Sequence, residues 1–296
     1  MKITDVTVTI INWKSERWRV GNSYSGGDKL LGVLTIDTDE GVQGHCFLGS
    51  SRQGADAHIA PLMEFVKPWL VGANPLDIGA IWKKLWAENR NISTHVMGAV
   101  DIALWDIAGK TANMPIHRLL GTCKYEVPAY ASSAWLPSPE HYAEEAMKFK
   151  SEGWLSYKIH PHTVPKKDME ICRAVREAVG KDMVLMLDSM WSYGYEEALR
   201  VGRVLEELDY FWYEDPLADE DIYNYVKLRQ KLDIPIIATE FAPGRFYGLA
   251  QWVQQMAIDI LRGDVMVFGG ITPMVKIGHL AEAFHMKCEL HHGANS

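Results

Sequence analysis

The chain has 296 residues, of which 48% are hydrophobic and 23% are charged, proportions typical of a globular protein with a large core. Its net charge of −8 argues against a nucleic-acid partner, because phosphate binding requires a basic surface. No apolar run approaches the roughly 20 residues that span a bilayer, and the N-terminus lacks a secretory signal pattern, so we expect a cytoplasmic protein. The four widely separated cysteines are expected to be reduced thiols.

The first part of the chain predicts an antiparallel meander followed by helices. Strands are expected where apolar and polar residues alternate near the N-terminus, and again at 31–38 and 42–47. The Gly- and Ser-rich segment 14–29 is predicted to be a loop that could close over a ligand, and its Arg17 and Arg19 are candidates for pairing with a substrate carboxylate. Residues 54–121 are predicted to be helical, most clearly over 97–112. Together these elements predict an α+β capping domain over 1–126.

From residue 127 onward, short apolar runs alternate with helical patterns, which predicts parallel strands joined by crossover helices. The predicted strands are 127–134, 154–160, 184–190, 211–216, 234–240, 260–267 and 286–292, and the predicted helices include 139–152, 167–179, 195–208 and 223–232. Seven β/α units favour a barrel over an open sheet. We therefore predict an α/β fold in which a modified TIM-type β/α barrel occupies 127–296, with the eighth strand absent from this chain.

Three carboxylates, Asp188, Glu214 and Glu240, follow three successive predicted strands at equal spacing along the chain. The carboxyl ends of barrel strands meet on one face, so these groups would repel one another unless a positive charge held them. Any one acid could equally pair with a lysine or arginine or cap the next helix. Three carboxylates at matching positions of successive strands favour binding of a hard cation, and we predict a Mg²⁺ site.

The strand ends beside these acids carry candidate proton-transfer groups. Lys158 and His160 are two residues apart on one predicted strand, so both side chains point to the same face. Asp264 and His291 end consecutive predicted strands, and a carboxylate beside an imidazole orients the ring and stabilises its charged form. We predict that Lys158, His160, Asp264 and His291 are the catalytic residues.

Three sequence motifs connect these residues with a known family. They are GAVDIALWDIAGK at 98–110 with Pro115 and LLG at 119–121, YEDP at 213–216, and RGDV at 262–265 followed by GGIT at 269–272. Together they resemble the enolase superfamily, in its mandelate racemase/muconate lactonizing enzyme branch. The likeness covers essentially the whole chain.

The resemblance implies a reaction as well as a fold. Asp188, Glu214 and Glu240 take the metal-ligand positions, and Asp264 and His291 take those of an Asp–His dyad. The implied reaction is Mg²⁺-dependent removal of the proton α to a carboxylate, through an enediolate. We expect a small hydroxy acid or sugar acid as substrate, dehydration as the outcome and a homo-oligomer as the assembly, with racemisation or epimerisation as the alternative. Asp101 is expected to be structural.

Several positions depart from the family pattern. His160 stands in place of the second residue of a Lys-x-Lys motif that Lys158 begins, so either His160 replaces the lysine base or catalysis depends on His291 alone. Met190 occupies a position that is usually polar, and the acid of the eighth strand is absent. A shift of one residue would make His292 the base, and His292 is a further candidate for substrate contact.

Two other functions compete with this interpretation. His160-Pro161-His162 is an HxH pair of the kind found in zinc-dependent barrel hydrolases, although it lies on the second predicted barrel strand and not the first. The chain could also be a non-catalytic relative that has lost the lysine base and keeps the barrel as a scaffold or binding module.

Overall fold

The structure is a computed structural model that describes residues 1–14, 16–20, 23–50 and 53–291. The N-terminal part contains the strands β1 (Ile3–Trp13), β4 (Lys29–Thr38) and β5 (Gln43–Leu48), with β2 (Arg17–Val20) and β3 (Ser23–Gly26) between the first two. They form a three-stranded antiparallel sheet in the order β1-β4-β5, as the alternating pattern predicts. One face of the sheet is apolar and packs against the helices that follow, where Val6, Leu34 and Leu48 are fully buried.

The prediction of a loop over 14–29 is wrong for about half of that segment. It contains an antiparallel hairpin of β2 (Arg17–Val20) and β3 (Ser23–Gly26), in which Arg19 pairs with Tyr24. The Gly- and Ser-rich composition conceals the strands, because strand propensity reflects packing against neighbours more than residue type. Trp135 donates its backbone N–H to the Arg19 carbonyl at 2.9 Å, which attaches the hairpin to the second half of the chain.

The predicted helical region 54–121 is confirmed. It contains α1 (Asp56–Pro61), a π-helical turn (Leu62–Val66), α2 (Lys67–Leu70), α3 (Ile78–Ala87), α4 (Thr94–Ala112) and α5 (Ile116–Leu119). Helix α4 begins at an N-cap serine, Ser93, whose hydroxyl accepts from the Val96 N–H, and it ends at Asn113 in the left-handed conformation. Its apolar positions are buried against the sheet, so this helix forms the centre of the N-terminal core.

The second half of the chain builds the predicted parallel sheet of seven strands, which follow one another in chain order as a β/α barrel requires. They are β6 (Ala131–Ser132), β7 (Ser156–Ile159), β8 (Val184–Asp188), β9 (Trp212–Glu214), β10 (Ile236–Ala238), β11 (Ile260–Asp264) and β12 (Lys287–His291). Each lies within a strand predicted from the sequence. Met186, Trp212, Ile237 and Ile260 form a separate apolar cluster with Tyr130, underneath the charged residues.

Crossover helices connect these strands and bury their apolar stripes against the sheet. They are α6 (Pro139–Ser151), α7 (Pro165–Val179), α8 (Tyr195–Glu207), α9 (Ile222–Arg229), α10 (Arg245–Gln254) and α11 (Ile271–Ala283). Among the residues that the structure describes, no helix combines the length and apolar character needed to cross a membrane. The exact domain boundary at residue 126 stays a prediction.

Asp101 joins the two halves of the molecule, as its expected structural role requires. It is fully buried on α4, and its carboxylate accepts from the Thr272 N–H at 2.9 Å and from the Thr272 hydroxyl at 2.6 Å. These bonds satisfy the first turn of α11. The preceding Gly270 has a φ of +117°, and a Cβ there would lie 2.3 Å from the Asp101 Oδ2 atom, so only glycine fits.

Replacing Asp101 by alanine is expected to lower the free energy of unfolding by about 2–4 kcal/mol, because it leaves a buried N–H and a buried hydroxyl without their acceptor. Urea unfolding followed by circular dichroism measures the change. The matched control is Asp182→Ala, which alters an exposed carboxylate and should change stability by less than about 0.5 kcal/mol. Equal stabilities for the two variants would contradict the assigned role.

Candidate active site

Strand register brings the predicted site residues to one edge of the sheet. Asp188 at the end of β8 pairs with Glu214 at the end of β9, and Asp264 at the end of β11 pairs with His291 at the end of β12. Parallel pairing therefore aligns residues that are far apart in sequence. The sequence-based prediction that these groups share the C-terminal edge is consistent with this register.

Lys158 lies between two of the carboxylates. Its ammonium nitrogen is 3.0 Å from Asp188 Oδ2 and 2.8 Å from Glu214 Oε1, and the side chain is almost completely buried. Burial alone would lower the lysine pKa, but the charges of Asp188 and Glu214 outweigh it, and the pKa is raised. Lys158 is therefore a fixed positive charge in this arrangement.

Arg262 is a second buried cation, and it was not among the predicted site residues. Its Nη2 atom is 3.0 Å from Glu214 Oε1, and its Nε atom is 3.5 Å from Glu240 Oε2. The side chain is 1% exposed, and it also donates to the Tyr130 hydroxyl at 3.3 Å. The sequence does contain a signal for Arg262. It precedes Asp264 by two residues on the same strand, so both side chains point to the same face of the sheet.

Glu240 enters the site through an unusual backbone conformation. Strand β10 ends at Ala238, and Thr239 has a φ of +87°, which is a clear outlier for a β-branched residue. The Thr239 hydroxyl donates to the Arg262 carbonyl at 2.8 Å, which holds the turn in place. Glu240 thereby reaches Arg262 and also His291, whose Nδ1 is 3.5 Å from Glu240 Oε1. Burial raises its pKa, against the opposing charges of His291 and Arg262.

The most compact group of carboxylates differs from the predicted one. Within the described residues, candidate metal-ligand atoms of Asp188, Glu214 and Asp215 lie within 4.8 Å of one another, whereas Glu240 is not part of this group. Asp215 is 1% exposed, and its Oδ1 atom has no hydrogen-bond partner. Burial and the nearby acids, Asp219 first among them, raise the pKa of Asp215 well above its usual value.

Asp264 and His291 form the predicted pair. His291 Nδ1 is 2.7 Å from Asp264 Oδ2, while Asp264 Oδ1 accepts the N–H groups of Met266 and Val267 at 2.7 and 2.9 Å. Burial tends to raise the pKa of Asp264, but these hydrogen bonds and the nearby imidazole lower it overall. Because Nδ1 faces a carboxylate, Nε2 is the nitrogen available to a ligand.

His160 is held at both ring nitrogens. Its Nδ1 lies 2.7 Å from the Ser133 carbonyl oxygen, and its Nε2 lies 3.1 Å from Asp188 Oδ2. The Ser132 hydroxyl also lies 3.3 Å from Nδ1. Both ring nitrogens thus contact protein groups, and the ring is fixed beside Asp188.

The second histidine of the HxH pair does not join the site. His162 Nε2 is 2.6 Å from the Leu136 carbonyl oxygen, and the ring stacks on Trp135 with centroids 4.8 Å apart. His160 and His162 thus have different partners. The structure gives no support to a zinc site built on this pair.

The candidate substrate-binding arginines lie on the β2–β3 hairpin, stacked on aromatic rings. The Arg17 guanidinium carbon lies 4.7 Å from the centre of the Tyr24 ring, and that of Arg19 lies 5.0 Å from the Trp135 ring. Arg19 therefore helps to attach the hairpin to the barrel half. The third candidate, His292, lies outside the described residues.

The charged side chains at this edge carry an excess of negative charge that a divalent cation could balance. Asp188, Glu214, Glu240 and Asp264 carry four negative charges when ionised, and Lys158 and Arg262 supply two positive ones. The expectation that a metal alone neutralises the three acids is wrong in part, because Lys158 and Arg262 also pair with them. The remaining negative charge and the oxygen-only donor set of Asp188, Glu214 and Glu240 fit a hard divalent ion.

Comparison with protein families tests the resemblance inferred from the motifs. Residues 4–121 match the model of the mandelate racemase/muconate lactonizing enzyme N-terminal domain, and residues 141–296 match the enolase C-terminal domain-like model. The chain belongs to the enolase superfamily, in its mandelate racemase/muconate lactonizing enzyme branch. The predicted fold and family are thus confirmed, and membership of this family argues against the zinc hydrolase alternative.

Relatives of this enolase-superfamily chain include both dehydratases and racemases. Arabinonate dehydratase of Saccharolobus solfataricus is 31% identical over 272 residues, which cover 88% of this chain and 71% of that protein. N-succinyl-L-Arg/Lys racemase of Bacillus cereus is 29% identical over 302 residues, which cover 98% of this chain and 79% of that protein.

A solved structure links this superfamily member with a metal-containing relative. The crystal structure of D-glucarate dehydratase from Agrobacterium tumefaciens, complexed with magnesium, superposes with a TM-score of 0.92 at 33% identity. The match covers 98% of this chain and 80% of that one. A related enzyme of the same fold has thus been solved in complex with magnesium.

Proposed function

We propose that this protein removes the proton α to the carboxylate of a sugar acid and then eliminates water, with Mg²⁺ held by Asp188, Glu214 and Glu240. The observation that carries the proposal is the Asp264–His291 pair, 2.7 Å apart, at the same edge as the carboxylates that Lys158 bridges. An acid–base group and a charge-stabilising group thus lie on either side of an anionic cluster. Similarity to arabinonate dehydratase and D-glucarate dehydratase supports dehydration.

Each protein group has a defined chemical role in this proposal. His291 moves a proton through Nε2, and Asp264 accepts from Nδ1 and fixes the ring orientation. Lys158 supplies positive charge where the substrate becomes more negative after proton loss. A bound divalent ion would supply Lewis-acid chemistry that makes the α-proton more acidic.

Dehydration requires a proton for the departing β-hydroxyl. His291 can donate this proton when its ring is charged, and Asp264 stabilises that charged ring.

Racemisation is the second candidate function, because the Bacillus cereus relative is a racemase and the same groups begin both reactions. Proton NMR in D₂O distinguishes them. Racemisation incorporates deuterium at Cα and keeps the hydroxyl, whereas dehydration yields a 2-keto product. A broad panel of hydroxy acids and sugar acids, tested with Mg²⁺, identifies the substrate.

Removing divalent metal is expected to abolish turnover, and added Mg²⁺ is expected to restore it. Assays after treatment with EDTA and dialysis test this, with calorimetric titration of Mg²⁺ as a readout independent of turnover. Glu214→Gln should weaken Mg²⁺ binding by about 100-fold or more, since loss of an outer partner alone costs 10–100-fold.

The control for the metal experiment is Glu207→Gln, which changes an exposed glutamate that pairs with Arg173 on the surface. Its Mg²⁺ affinity should equal that of the wild type. Full activity in EDTA would contradict the metal requirement. Mg²⁺ binding without turnover on any acid of the panel would instead favour the non-catalytic alternative.

A further inference from the structure

A cavity of about 790 Å³ lies between the N-terminal half and the loops at the C-terminal edge of the barrel strands. Its walls come from the start of α4, from the segment after β10 and from Val267 after β11. The polar and charged side chains in this wall include Thr94, His95, Glu220 and Arg245. A cavity of this size accommodates a small organic ligand.

Arg245 provides a cation that forms no salt bridge within the described residues, although the charge of Asp219 acts on it from more than 4.0 Å away. Its Nη1 atom donates to the Phe241 and Ala242 carbonyl oxygens, which fixes the side chain at the cavity wall. Among residues 1–14, 16–20, 23–50 and 53–291, no carboxylate lies within 4.0 Å of the Arg245 guanidinium. A fixed guanidinium with unused donors is suited to bind a carboxylate.

His95 contributes a second donor to the same cavity. Its ring stacks on His58 with centroids 5.4 Å apart, and neither ring nitrogen has a hydrogen-bond partner within the described part of the chain. His95 is in the first turn of α4, a helix of 19 residues whose N-terminal end carries partial positive charge. Arg245, His95 and this helix end together favour an anionic group.

Within the described part of the chain, Glu220 is the one acid that lines this cavity, and it restricts the type of ligand. A carboxylate accepts hydrogen bonds from hydroxyl groups but repels another anion. A ligand can interact with both residues if its hydroxyls donate to Glu220 and its carboxylate pairs with Arg245. A polyhydroxy dicarboxylic acid has these groups.

The cavity adjoins the proposed reaction site. Val267 lines it, and the Val267 N–H donates to Asp264 Oδ1 at 2.9 Å. Phe241, which also lines the cavity, directly follows Glu240. A substrate whose first carboxylate lies among the acids and cations at the strand ends can thus extend its far end into this cavity.

We infer that the cavity binds the distal carboxylate of the substrate through Arg245 and His95, so that the preferred substrate is a hydroxylated dicarboxylic acid. This inference rests on the proposed function, because it takes the reacting end to lie beside His291. Arg245 and His95 are then residues that determine specificity, and they do not take part in proton transfer.

Calorimetry with two unreactive probes tests binding without requiring turnover. With Mg²⁺ present, the wild type should bind adipate at least about tenfold more tightly than hexanoate, which lacks the second carboxylate. Arg245→Met should weaken adipate binding by about 10–100-fold and leave hexanoate binding unchanged. His95→Gln keeps a hydrogen-bond donor and should therefore lose less adipate affinity than Arg245→Met. Glu220→Gln removes the opposing charge and should strengthen adipate binding.

Two further variants control the experiment. Arg245→Lys keeps the charge and should retain part of the affinity even if Arg245→Met folds poorly. Arg200→Met changes an exposed arginine on α8 and should bind adipate like the wild type. Equal binding of adipate and hexanoate by the wild type, or wild-type adipate affinity in a folded Arg245→Met, would overturn the inference.

Kinetics separate this inference from the proposed function. Arg245→Met should raise KM for an aldaric acid by about 10–100-fold with kcat changed little, while KM for the aldonic acid of equal length stays constant. Turnover of aldonic acids alone would overturn the distal subsite and leave the proposed reaction intact. Adipate binding that depends on Arg245, with no turnover of any acid, would support the subsite and contradict the reaction.

Discussion

Replacing His291 by asparagine is expected to lower kcat by about 10²–10⁴-fold, the usual contribution of a general acid–base group. The asparagine amide can still donate to Asp264, which accepts from His291 Nδ1 at 2.7 Å, so the local fold should persist. The variant lacks a nitrogen that takes up and releases a proton. Steady-state rates and exchange of the α-proton in D₂O should therefore fall together.

A matched control distinguishes this loss from a general effect of removing a histidine. His279→Asn changes an exposed histidine on α11 and should leave kcat within about twofold of the wild type. Mg²⁺ binding should be similar in both variants. Wild-type exchange of the α-proton in His291→Asn would show that another group, with His160 the first candidate, removes it.

Replacing Lys158 by methionine is expected to reduce both stability and activity. Its ammonium lies 3.0 Å from Asp188 and 2.8 Å from Glu214, so its removal leaves two buried carboxylates without their shared cation. Breaking a buried ion pair from one side costs about 3–5 kcal/mol of folding free energy. Loss of an electrostatic partner for the reacting substrate should raise the barrier by roughly 3–4 kcal/mol.

The response of the Lys158 variant to Mg²⁺ tests whether Lys158 and the metal neutralise the same acids. Lys158 donates hydrogen bonds to Asp188 Oδ2 and Glu214 Oε1, which are oxygens of two acids proposed to hold the metal. Mg²⁺ should therefore raise the melting temperature of Lys158→Met by more than that of the wild type, because the ion replaces the missing charge. Lys231→Met, at an exposed position, should respond like the wild type. Absence of any Mg²⁺ effect in both proteins would contradict a metal site at these acids.

The sequence by itself predicts the fold and most residues of the candidate site because both predictions depend on periodic features. Apolar runs that alternate with helical patterns require parallel strands, and parallel strands place their carboxyl ends at one edge. Asp188 and Glu214 pair across two strands for this reason, as do Asp264 and His291. Residue type and spacing along the chain were sufficient to name these four.

Only the tertiary structure decided how the charges at that edge are paired. Arg262 and Lys158 neutralise acids from other strands, and such partners are invisible to local periodicity because they depend on side-chain reach across the sheet. The same holds for Glu240, which the left-handed Thr239 directs toward Arg262 and His291, and for the hairpin concealed within 14–29. Spacing predicts which edge a side chain reaches, whereas backbone strain and long-range contacts determine what it touches there.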